Sequence, residues 1–143
     1  MGESAPRLLP ALTAENTDYW TGGRNGSLMI ARCADCRLWI HPYSPICRRC
    51  LSQNIASEAV SGEATVASYT INHQAWTPGA EVPYVVAIVE LPEQAALRIM
   101  TNIVNCPVDD VRIGDPVKVI FQHQEDVWIP LFELKTPKTG AAA

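Results

Sequence analysis

Four cysteines in two pairs carry the clearest chemistry in this chain: Cys33-x2-Cys36, a span of ten residues, then Cys47-x2-Cys50. A CxxC turn offers two thiolates to one ion. Two such turns complete a tetrahedral set at about 2.3 Å, the arrangement of a structural zinc ion. The same four sulfurs also suit iron in a rubredoxin-like site. Four protein ligands leave no open position for substrate, so the ion would stabilise and not catalyse. His41 lies between the pairs. With the tetrahedron already full, a surface or packing role is expected of it. The residue after the second cysteine of such a turn often needs left-handed backbone, which favours glycine. Arg37 and Leu51 stand there instead, at an expected cost of about 1 kcal/mol each.

The remaining reactive residues are scattered. Cys106 stands alone before Pro107 and reads as a small, buried hydrophobe at a strand end. His73 and His123 end predicted strands, and the acid pairs Asp109-Asp110 and Glu125-Asp126 fall in a helical turn and a hairpin, usual settings for solvated carboxylates. The sequence has no serine elbow, no glycine-rich phosphate loop and no HExxH. An independent enzyme is therefore disfavoured. Arg32, Arg37, Arg48 and Arg49 give the cysteine segment a local positive charge, against the single acid Asp35. Such a patch could meet the phosphates of nucleic acid or coenzyme A, or an acidic protein face. The stretch Trp76-Thr77-Pro78-Gly79-Ala80-Glu81-Val82-Pro83-Tyr84 is stiffened by prolines and flanked by aromatics, and suits either an interface or packing on its own barrel.

The elements that must position these groups are mostly strands. Hydrophobic residues make up 48% of the 143, which permits a real core, and the net charge of −4 gives no overall field for phosphate backbones. Residues 1–10 read as a loose tail. Leu12 to Trp20 is predicted as a short helix capped by Thr13, with Tyr19 and Trp20 anchoring its end and Gly22-Gly23 breaking it. The cysteine segment opens with a strand over Leu28–Arg32 and has too few apolar residues to hold itself together without metal. Five strands are predicted after it, over Ala64–His73, Val82–Leu91, Ala95–Val104, Pro116–His123 and Val127–Leu134, with one helical turn at Pro107–Gly114. Five strands with a short helix between the third and fourth outline an OB-fold. The expected fold class is thus mainly β, with tail and helix at 1–27, a rubredoxin-like zinc ribbon at 28–57, a five-stranded OB barrel at 58–135 and a disordered tail at 136–143. No signal peptide and no apolar run of membrane-spanning length is seen, so the expected location is cytoplasmic.

This pattern resembles the thiolase-associated zinc-ribbon/OB-fold family, domain of unknown function thirty-five. The resemblance rests on Asp18-Tyr19-Trp20, Gly26-Ser27-Leu28, the four cysteines, Gly62-Glu63-Ala64-Thr65-Val66, Tyr69 to Gln74, Val82 to Leu91, Thr101 to Val104 and Ile113 to Val119. The missing glycines after Cys36 and Cys50 are the main departure. The resemblance implies a non-catalytic accessory subunit with structural zinc. Its partner would be a thiolase-fold or lipid-transfer-type acyl-CoA enzyme, such as a steroid side-chain aldolase or thiolase, or a hydratase. The small subunit would help form the partner's CoA-substrate site. Tyr19, Trp20, Arg48, Arg49, His73, Trp76 and Tyr84 are the candidates for partner or substrate contact. Two alternatives stand beside it. One is a single-stranded nucleic-acid module stacking bases on Tyr69, Trp76, Tyr84 and Phe121, which the net charge disfavours. The other is a free acyl-CoA-binding protein.

Overall fold

A computed structural model describes residues 6–138. One short helix, α1 (Thr17–Thr21), runs into a 3-10 turn at Gly22–Asn25. Eight strands follow: β1 (Leu28–Cys33), β2 (Trp39–Ile40), β3 (Ile55–Val60), β4 (Glu63–Asn72), β5 (Tyr84–Glu90), β6 (Arg98–Val104), β7 (Pro116–Gln124) and β8 (Val127–Leu134). β1 lies between β2 and β3 in a three-stranded antiparallel sheet. The other five close into a barrel in the order β4-β5-β6-β8-β7, with a 3-10 turn at Val108–Asp110 between β6 and β7. This is the mainly β, OB-type architecture expected of the sequence.

Alternation builds the barrel core. Val85, Ala87 and Val89 of β5 point inward, as do Ile99 and Ile103 of β6, and they meet Val66, Val117 and Phe132. β8 is buried on both faces. Phe132 and Leu134 join the barrel core, while Val127, Ile129 and Leu131 are covered from outside by Leu9, Leu12 and Trp20. The barrel core also takes in Leu28, Ile30 and Trp39 of the three-stranded sheet, so the two sheets share one apolar cluster. A second, small cluster of Ala31, Cys33, Leu38, Ile40 and Cys47 lies under the cysteine turns.

Three expectations are corrected. The helix starts at Thr17, not near Leu12, because Thr13 and Asn16 exchange hydrogen bonds in a local turn: Thr13 N–H donates to Asn16 Oδ1 at 2.7 Å, and Asn16 N–H to Thr13 Oγ1 at 3.2 Å. Gly22-Gly23 does not stop the chain turning; it continues as a 3-10 turn in which Gly23 sits against the Phe121 ring. Residues 6–12 do not run loose. Arg7 donates through Nε to Gln122 Oε1 at 2.8 Å and through Nη1 to Asn102 Oδ1 at 2.9 Å, and its backbone pairs with the Gln124 amide. The rest of the expected N-terminal tail, and residues 139–143 of the expected C-terminal one, lie outside the described residues. No helix of the described residues is long and apolar enough to cross a membrane.

Candidate metal centre

β1 delivers Cys33 at its last position, buried against Leu38 and Ile40. The chain then turns so that Arg37 N–H donates to Cys33 O at 3.0 Å, which brings Cys36 back beside it. The second turn repeats this, with Leu51 N–H on Cys47 O at 2.9 Å. Both closing residues have left-handed backbone, φ 69° at Arg37 and 63° at Leu51. These are the two positions where glycine is missing from the sequence pattern, and the strain falls there as expected.

All four Sγ atoms lie within 4.8 Å of one another. Cys33 and Cys50 approach to 3.6 Å, Cys36 and Cys47 to 3.5 Å. A tetrahedron with bonds of about 2.3 Å has edges of about 3.8 Å, so the donor set fits one thiophilic ion. Backbone N–H groups already face the sulfurs, from Cys36 to Cys33 Sγ and from Arg49 to Cys47 Sγ, each at 3.4 Å. Without an ion Cys36 and Cys50 would titrate far apart. The Leu38 N–H and the Arg49 guanidinium draw Cys36 down to about 6. At Cys50 the Ser52 N–H favours the thiolate, but burial and the other three sulfurs outweigh it and push the group up to about 12. A cation placed among them removes that competition, because it favours the thiolate at every ligand.

The other candidate residues do not gather around these sulfurs, except Arg49. Its Nη2 donates to Cys36 O at 2.7 Å. Arg48 is exposed. Arg37 and Arg32 are drawn to Glu58, with Arg37 Nη1 at 2.8 Å from its carboxylate and Arg32 at 3.4 Å. The expected basic patch is thus partly neutralised within the ribbon sheet. Tyr19 packs on the barrel core and Trp20 on the outer face of β8. Both also line a groove of about 330 Å³ with Met29, Ile40, His41 and Tyr43. His41 lies beside the Tyr19 ring, centroids 5.1 Å apart, and burial lowers its pKa. His73 is exposed. Trp76 is 77% exposed in the loop between β4 and β5, its indole N–H donating to Asn72 Oδ1 at 3.2 Å. Tyr84 is half-buried at the start of β5. Tyr69 and Phe121 pack against the barrel core, so the four aromatics proposed for base stacking form no common platform. Cys106 also packs there, and burial raises its thiol pKa. Sequence reasoning missed Arg7 and Glu58. Glu58 was legible only as a polar residue on an unrecognised strand.

A four-sulfur ribbon joined to an OB barrel through a shared core defines a class of small ribbon–barrel proteins. Residues 20–56 match the family model described as "ChsH2, rubredoxin-like zinc ribbon domain", and residues 57–122 match "ChsH2, C-terminal OB-fold domain". A "DUF35 domain-containing scaffold protein" of Methanocaldococcus jannaschii is 36% identical over 98 residues, 67% of this chain and 68% of that protein. A solved structure described as "Ltp2-ChsH2(DUF35) aldolase" superposes with a TM-score of 0.80 at 32% identity, covering 90% of this chain and 100% of that one. A "Probable enoyl-CoA hydratase alpha subunit" of Thermomonospora curvata is 33% identical over 140 residues, 95% of this chain. This chain spans 43% of that subunit's length. The chain belongs to the DUF35 family of zinc-ribbon/OB-fold proteins.

Proposed function

We propose that this chain is a zinc-binding, non-catalytic accessory subunit of a thiolase-fold acyl-CoA enzyme, and that it helps form the partner's CoA-substrate site. The observation that carries the reading is a closed four-sulfur cluster built into a scaffold that superposes over 90% of its length on the solved "Ltp2-ChsH2(DUF35) aldolase" chain. Four thiolates favour zinc over harder ions, and a full tetrahedron offers structure without a reactive position. Cys33, Cys36, Cys47 and Cys50 would hold the ion, which supplies folding energy to a segment with a small core of its own. The scaffold and hydratase-subunit names of the relatives support an assembly role. Trp76, with its wide exposed surface, and the solvent-facing Arg48 are among the residues available to a partner.

Co-expression with a thiolase-fold acyl-CoA enzyme chain from the same genome tests the reading. A stable heteromer with higher thioester activity than the partner alone is the expected result. Two chains that elute separately, with the enzyme fully active by itself, would refute it. Metal analysis of the purified chain should return one zinc per chain, and a metal-free folded protein would remove the zinc part.

A further inference from the structure

Three of the four ribbon arginines face away from the sulfurs. Arg37 reaches the Glu58 carboxylate with both terminal nitrogens, at 2.8 and 2.9 Å. Arg32 lies over the Trp39 ring at 4.3 Å, donates to Arg37 O at 2.8 Å and stands 3.4 Å from Glu58. Arg48 is exposed to solvent. Arg49 is turned onto the cluster. Its backbone N–H points at Cys47 Sγ at 3.4 Å and its Nη2 donates to Cys36 O at 2.7 Å. One side chain rooted in the second cysteine turn therefore grips the first.

The two turns have few other ties. No β-ladder includes residues 41–54, which carry the second turn. Ala34 N–H donates to Asn54 O at 2.8 Å, and the Asp35 carboxylate accepts from Ser52 Oγ and from Asn54 Nδ2, the latter at 3.1 Å. Those contacts hold the chain beyond the second turn. Arg49 holds the turn itself.

We propose that Arg49 is a positioning residue for the metal: it latches the two cysteine turns together across the ion and offsets the charge of the loaded cluster. The proposal rests on the zinc reading above. Four thiolates around a divalent ion carry two net negative charges, and two of these sulfurs, Cys33 and Cys47, are fully buried. Charge left uncompensated near a low-dielectric interior is costly. A guanidinium fits this task because its rigid donors hold the Cys36 carbonyl while its charge stays beside the thiolates. A lysine ammonium supplies the charge without that geometry. Partners behind metal ligands of this kind typically contribute 10–100-fold in affinity.

The test uses the full chain, with Zn²⁺ affinity read by competition against a chromophoric chelator and Co²⁺ substitution read by its thiolate charge-transfer absorption. R49Q is expected to weaken Zn²⁺ binding by about tenfold or more and to alter the Co²⁺ spectrum. R49K is expected to fall between R49Q and the wild type. R48Q removes the same formal charge one residue away and should stay within about twofold of wild type, because the Arg48 side chain makes no hydrogen bond to either cysteine turn. Wild-type affinity in R49Q would overturn the proposal. So would equal weakening in R48Q and R49Q, which would mean a diffuse charge effect. If R49Q does not fold, R49K decides: affinity equal to wild type overturns the guanidinium's hold on the Cys36 carbonyl, and weaker binding supports it. A wild-type chain that takes up neither Zn²⁺ nor Co²⁺ refutes the metal reading, whereas tight wild-type binding with an indifferent R49Q refutes the role of Arg49 alone.

Discussion

Leu28→Ala should destabilise the ribbon and the barrel together. Leu28 opens β1, is 1% exposed and belongs to the same buried cluster as Val66, Val85 and Phe132 of the barrel. The substitution removes three carbons. At about 0.8 kcal/mol each they contribute about 2.4 kcal/mol of transfer free energy. An added cavity term brings the expected loss to about 3–4 kcal/mol, because close-packed neighbours collapse only in part. That is a large share of the 5–15 kcal/mol that typically holds a domain folded. The midpoint of thermal unfolding should fall by about 10 °C. Urea titration of the zinc-loaded chain checks this with two probes, far-UV circular dichroism for the barrel strands and chelator colour for released zinc. Both midpoints should move down together. If zinc release shifts while the dichroism curve stays put, the ribbon and barrel do not share a cooperative core, and the reasoning fails.

Gly23→Ala should destabilise by about 1–3 kcal/mol, because an added Cβ would stand 2.5 Å from a Phe121 ring carbon and 2.6 Å from Trp128 Cβ; chemical denaturation measures it. Leu51→Gly should be neutral or stabilise by up to about 1 kcal/mol, since Leu51 is 73% exposed, loses little packing and occupies φ 63°; a clear loss of stability in the same assay would contradict the strain argument. His41 is held below its ordinary pKa of 6.5 by burial. The unfolded chain therefore takes the proton first, so this group's contribution is complete above about pH 6.5 and is lost as pH falls toward the lowered folded value. His41→Phe should flatten that part of the stability–pH curve, and an unchanged curve would rule the contribution out.

Much of the fold was legible because turn chemistry punctuates the strands. Val127–Leu134 was read with its observed bounds, since Glu125-Asp126 supplies the turn before it. β3 was not legible as a strand. Ile55-Ala56-Ser57-Glu58-Ala59-Val60 has few β-branched or aromatic residues, and no strand was predicted over it; it is a strand because β1 pairs with it along its whole length, Leu28 opposite Val60 and Cys33 opposite Ile55. Ala95–Leu97 was read into β6 but closes a turn, where Leu97 N–H donates to Gln94 O and Ala96 takes φ 63°. The four sulfurs were visible from spacing alone. The fate of the arginines was not, because the partner Glu58 lies 21 residues from Arg37 and no local pattern marks it.

The segment around Arg7 changes what kind of OB barrel this is. Such barrels commonly receive a foreign oligomer on an open flank. Here Arg7 to Leu12 lies along β6, β7 and β8, the guanidinium satisfied by Asn102 and Gln122 and the two leucines seated on Val127, Ile129 and Leu131. The barrel arrives with its guest already bound, and that guest is its own chain. Any visitor to this flank must first evict it, whereas the indole of Trp76 in the loop between β4 and β5 already faces solvent.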